Sequence, residues 1–126
     1  MKRVAVAAVL LVAAVAVSVW SGKVFESNLT ALSDELDRLI DISETAEDEE
    51  LMRETEKVLE GWKSSSKLLH SLVLHEGMDE LEQNITALPL IIEHSDRERF
   101  RLSCIEGVNQ IKNLLNSEKI SIENIL

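Results

Sequence analysis

The chain has 126 residues, of which 23 are acidic and 13 basic, with one cysteine and only 3% aromatic residues. A net charge of −10 excludes the clustered Lys and Arg that a phosphate backbone demands, so no nucleic acid is expected as a partner. A lone cysteine excludes an internal disulfide, and the length allows one small domain beside any membrane segment.

Directly behind Met1-Lys2-Arg3, the residues from Val4 to Trp20 read VAVAAVLLVAAVAVSVW without a single charge. As a helix rising about 1.5 Å per residue, this run covers roughly 26 Å, enough for a thin bilayer. Two readings fit it, an uncleaved anchor and a signal peptide. Ala14-Val15-Ala16 meets the small-residue rule for cleavage only loosely, while the length of the run, Trp20 at an interfacial position and Lys23 as a polar stop favour the anchor. No cysteine stands near residue 20 to carry a lipid. Lys2 and Arg3 are expected to stay cytoplasmic, which divides the chain into a membrane anchor (1–22) and an extracytoplasmic helical domain (23–126). The domain carries 11 basic and 23 acidic residues.

Beyond the anchor, Phe25, Leu29, Leu32, Leu36 and Leu39 step by four and three, the spacing of a buried helical seam. No proline separates Trp20 from Phe25, so the pattern predicts one rod running from the membrane to about Ile42. Ser43-Glu44-Thr45-Ala46 offers acceptors for the free amides of a second helix, and Glu47 to Glu50 suit its positive end. That helix carries Leu51, Thr55, Val58, Trp62, Ser65, Leu69 and Leu72 as its seam. The small residues at Thr55 and Ser64-Ser65-Ser66 read either as a solvated patch, the commoner case, or as a site of close helix approach. The register slips between His70 and Gly77, where a bend is expected. A third pattern follows with Leu74, Met78, Leu81, Ile85, Leu88 and Ile92, and Pro89 inside it predicts a kink. Ser95-Asp96-Arg97-Glu98 matches a capping box with Ser95 as the cap, opening a last helix with Phe100, Cys104, Val108, Ile111 and Leu115 on its apolar face. The apolar ending Ile120-Ser121-Ile122-Glu123-Asn124-Ile125-Leu126 is expected to be packed down.

The fold expected is therefore all-α, an N-terminal transmembrane helix followed by an antiparallel helical bundle of three to four helices. Catalytic signatures are weak. His75-Glu76-Gly77-Met78-Asp79 begins like a zinc-protease helix, but Asp stands where the second histidine is needed and Gly77 weakens the helix. His70, His75, His94, Asp96 and Cys104 share no metal-ligand spacing, and Cys104 reads as core filler. Asn28-Leu29-Thr30 and Asn84-Ile85-Thr86 fit the glycosylation triplet, yet each overlaps a buried stripe. No catalytic, cofactor-binding or metal residue is assigned.

Taken in chain order, the N-terminal span, Trp62 on the second helix, Leu74-His75-Glu76, the acid-capped last helix and the ending Ser121 to Leu126 resemble domain-of-unknown-function family 4363, small bacterial proteins with one N-terminal membrane segment. The resemblance covers nearly the whole chain and is carried by Trp62, His75-Glu76 and Asn124-Ile125-Leu126. It implies no activity and brings no catalytic residue. It does imply a partner class, since family members are similar to accessory proteins found beside multi-pass membrane proteins. The functional expectation is a non-enzymatic interaction or accessory subunit of a membrane complex, held in the cell membrane by its N-terminal helix and assembling with a multi-pass membrane protein or as a homo-oligomer. The alternative is an extracytoplasmic helical sensor that binds a small ligand or metal through His70, His75, His94 and Cys104.

Overall fold

The computed structural model describes residues 1–72 and 77–125, with side chains described for residues 1–67 and 77–117. Among the described residues there is no strand. The chain forms α1 (Lys2–Ile42), α2 (Asp48–Leu72), α3 (Gly77–Thr86), α4 (Leu88–Glu93) and α5 (Arg97–Ile125). The first helix is a single rod of 41 residues, about 61 Å long at the usual helical rise. Gly22 does not interrupt it.

Its two halves have opposite surroundings. The 18-residue apolar window of the first half is 0% buried, with a mean hydropathy of 2.5, and this is the one described helix long and apolar enough to cross a membrane. In the second half Phe25, Leu29, Leu32, Leu36 and Leu39 are all buried, the whole of the expected seam. The rod folds its own partners back onto that seam. Helix α2 and helix α5 flank α1, the α3–α4 pair packs between α2 and α5, and successive rods run antiparallel, which makes a four-rod bundle with α1 diagonal to α3–α4.

The seams of the other rods fall where the periodicity puts them. Leu51, Thr55, Val58 and Trp62 of α2, Met78, Leu81 and Ile85 of α3, Leu88 and Ile92 of α4, and Phe100, Cys104, Val108 and Ile111 of α5 are buried together in one cluster. Near its end α5 buries Leu114, with Leu115 only partly covered. Phe100, Gly107 and Leu114, like Cys104 and Ile111, keep a strict seven-residue repeat, so the four-residue step from Ile111 to Leu115 overshoots the inward face by one residue. Leu69, Leu72 and Leu74 lie outside the described side chains.

Pro89 acts as expected. The helical run breaks at Ala87, and α4 restarts with Pro89 in its first turn, where a missing N–H costs nothing. The chain then turns through Ser95, whose φ of 56° is left-handed. The Ser95 amide donates to the Ile92 carbonyl at 2.9 Å and the Asp96 amide to the Ile91 carbonyl at 3.4 Å, the paired bonds of a Schellman ending. Asp96 closes α4 and opens α5, because its Oδ1 accepts the Arg99 amide at 3.1 Å. The cap of α5 is thus Asp96 and not Ser95, one residue later than the capping-box reading. Ser95 is taken up by the left-handed turn that ends α4.

A second correction concerns Ser43. Its hydroxyl donates to the Ile40 carbonyl at 2.6 Å, and the Ser43 and Ala46 amides donate back to Leu39 and Ile42, so this segment finishes α1 and does not cap α2. The small residues of α2 divide between the two readings, with Ser64 exposed to solvent and Thr55 and Ser66 inside. Thr55 is 0% exposed and Ser66 is buried, each satisfied by a carbonyl of its own helix, Leu51 at 2.7 Å and Lys63 at 3.3 Å. Half-buried Ser65 donates to Asn28 Oδ1 of α1 at 3.2 Å.

Candidate functional site

Histidines and the cysteine do not come together. His94 sits exposed at the end of α4, its Nδ1 2.8 Å from the Leu90 carbonyl, whereas Cys104 is wholly buried about two turns into α5. Burial pushes the Cys104 thiol up to about 12, which keeps it protonated and unreactive. His75 and Glu76 lie outside the described residues, and the side chain of His70 is likewise not described. Among the described residues no group of three His, Cys, Asp or Glu is placed to hold a metal ion.

Polar side chains do organise two other places. At the tip of the bundle remote from the apolar half of α1, Arg97 opens α5 and reaches across to the α1–α2 corner. Its Nη1 donates to the Ser43 carbonyl and its Nη2 to Asp48 Oδ1, both at 2.8 Å, while Arg101 pairs with Glu44 at 3.0 Å. Three rods are clamped there. Halfway down, Glu54 of α2 accepts Arg38 of α1 and, at 3.4 Å, Lys57 of its own helix, with a side chain only 17% exposed. This carboxylate is part of the α1–α2 joint. In the same cleft desolvation raises the Glu35 carboxyl from its ordinary value, opposed by the Arg38 charge.

An open groove of about 540 Å³ lies between α3–α4 and α5, with Gln83, Asn84, Ile91, Leu102, Glu106 and Gln110 among its walls. Asn84 spans its floor by donating to the Ser103 carbonyl at 3.0 Å and to Gln110 Oε1 at 3.3 Å. Close by, Gly107 lets α5 approach α1, since a Cβ there would stand 3.0 Å from Leu36 Cδ1. Both glycosylation triplets have an amide already engaged: half-buried Asn84 as described, and Asn28 through Nδ2 to the Val24 carbonyl at 2.7 Å. The arrangement joins helices by hydrogen bonds. Trp62, at 3% exposure, is a core residue whose indole N–H has no partner among the described residues.

Sequence reasoning missed Arg97 as a clamp and Asn84 as a cross-helix donor. Arg97 was legible only as a member of the capping box, and nothing in a lone Asn at a half-buried position marks it as a bridge. A family model described as domain of unknown function (DUF4363) matches residues 19–125, from the end of the apolar run to the last described residue of α5. The chain belongs to the DUF4363 family. No curated protein and no solved structure matches it. The DUF4363 match begins one residue before Trp20 and therefore takes in the bundle with the whole of the α1 seam, leaving most of the apolar half outside.

Proposed function

We propose that this DUF4363 protein is a membrane-anchored, non-enzymatic interaction subunit, whose acidic bundle stands outside the cytoplasmic membrane and holds a membrane-protein partner or a second copy. One observation carries the reading. The apolar half of α1 is entirely uncovered, and it continues without a break into the buried half that the other three rods enclose. An uncovered apolar surface of this length is costly in water and favourable in lipid, so the supported role of that half is to span a bilayer. Lys2 and Arg3 at its start favour a cytoplasmic N-terminus, which puts the bundle on the far side. A stiff junction also fixes the height and orientation of the bundle, and confinement to a membrane raises the effective concentration of any partner there.

The test is a pull-down of the tagged full chain from crosslinked native membranes, read by mass spectrometry. The proposal expects one discrete membrane-protein partner, or a crosslinked homo-oligomer. A chain that stays monomeric and uncrosslinked in membranes, or that turns over a substrate, would refute it.

A further inference from the structure

We propose that the base of the bundle makes a second membrane contact, in which the last turns of α2 and α5 sit in the interfacial layer of the bilayer around the α1 span. This rests on the anchor reading of α1 given above. The occupant is the lipid surface itself, headgroups and the upper part of the acyl chains.

Helix register carries the inference. On the α1–α2 joint Glu54 meets Arg38 and Ser65 meets Asn28; on the α1–α5 joint Arg101 meets Glu44 and Gly107 lies against Leu36. Antiparallel α-helices advance at the same rise, so each residue down α2 or α5 matches about one residue back along α1. Continued to their ends, both α2 at Leu72 and α5 at Ile122 come level with Ser21, one residue past the apolar run. Exposure along α1 agrees with this. Val19 and Trp20 are 53% and 56% exposed, Ser21 and Gly22 are half-covered, and Phe25 is fully buried. No spacer separates the bundle from the apolar half, and the helix ends therefore lie within about one turn of the plane where the span meets water.

Composition of those ends suits lipid. The α2 stretch from Trp62 to Leu72 holds Lys63, Lys67, Leu68, Leu69 and His70 with no carboxylate, and Val108 to Ser117 of α5 holds Lys112 with none. Beyond it, Glu118 and Glu123 are interleaved with Lys119, Ile120, Ile122 and Ile125. At the opposite tip, 22 residues up α1 from Trp20 and so about 33 Å away, the segment 41–50 carries six carboxylates and no cation. The lower ends of α2 and α5 thus offer Lys and aliphatic residues to a headgroup layer, where ammonium groups meet phosphate and aliphatic side chains dip below it, while Glu26 of α1 and Asp79 and Glu80 in the first turn of α3 add carboxylates a little higher.

The experiment uses the full chain in vesicles of mixed phosphatidylcholine and phosphatidylglycerol that contain a headgroup-nitroxide lipid. An environment-sensitive dye is attached at Ser71→Cys, Ser121→Cys or Glu47→Cys, with the unsubstituted chain, whose Cys104 is buried, as the blank. Dye at the two base positions is expected to be quenched several-fold more than dye at Glu47→Cys and to emit further to the blue. Base positions that behave like the tip, in a chain that floats with the vesicles and resists an alkaline wash, overturn this proposal alone. A chain that fails to float overturns the anchor reading together with it.

Discussion

Two glycines of the bundle are predicted to respond to substitution in opposite directions. A Cβ built on Gly107 would stand 3.0 Å from Leu36 Cδ1 and 3.8 Å from Asn84 Nδ2, whereas one built on Gly61 meets nothing within 4 Å. Carbon atoms prefer separations of about 3.5 to 4.0 Å, so alanine at 107 already requires Leu36 to give way by about half an ångström. Gly107→Val adds two further carbons to a space closed by α1 and α3, and overpacking of that kind costs about 1 to 3 kcal/mol. Better helix propensity returns less than 1 kcal/mol of this. Gly61→Ala gains the propensity alone, about 0.8 to 1.0 kcal/mol. For a domain of about a hundred residues each kcal/mol moves the melting midpoint by about 4 to 8 °C, so the two variants should flank the unsubstituted chain and be separable. The assay is thermal unfolding of the detergent-solubilised chain by far-UV circular dichroism. A Gly107→Val midpoint equal to or above that of Gly61→Ala would refute the close approach of α5 to α1.

Three further outcomes follow from single residues. Ser95→Gly should stabilise the chain by about 1 kcal/mol in denaturant melts, because glycine adopts the left-handed φ of 56° without the Cβ strain, and Ser95→Val should destabilise it. The thiol of Cys104 rises from 9.0 to about 12 on burial, so near pH 8 its thiolate fraction is about a thousandfold below that of the unfolded chain. An aromatic disulfide reagent should therefore react slowly with the native protein and fast in urea. The sign for stability follows: this contribution is intact below pH 9 and is lost as pH rises from 9 towards 12, where the unfolded thiol ionises first. Trp62→Ala, which empties a position 3% exposed, should cost about 3 to 5 kcal/mol in the same melts; no change would put Trp62 on a surface.

What could be read in advance was whatever a period of 3.6 residues reports. The α1 seam from Phe25 to Leu39, the α3–α4 seam from Met78 to Ile92 and the break at Pro89 needed only apolar spacing and the chemistry of one imino acid. Features fixed by a single hydrogen bond escaped. Whether Ser95 or Asp96 caps α5 depends on which residue turns left-handed, and both types serve as caps equally well. Ser43 likewise offers one hydroxyl to two helix ends, and only the Ile40 carbonyl within 2.6 Å shows that α1 takes it. Glu54 and Arg97 escaped for a different reason. Each occupies a polar position of its own helix, and its role is set by a partner on another rod, Arg38 for one and the Ser43 carbonyl for the other. The candidate site was less legible than the core for that reason, because cross-helix polar contacts leave no periodic trace.

The proposed membrane-crossing role of α1 is tested most directly by labelling Lys2→Cys and Glu47→Cys chains in intact spheroplasts with a membrane-impermeant maleimide, together with the intact mass of the mature chain. The account predicts that Glu47→Cys is labelled at once, that Lys2→Cys is labelled only after permeabilisation, and that the mass includes residues Met1 to Ala16. Shielding of Glu47→Cys in intact spheroplasts, or a mature chain that lacks its apolar start, would contradict it.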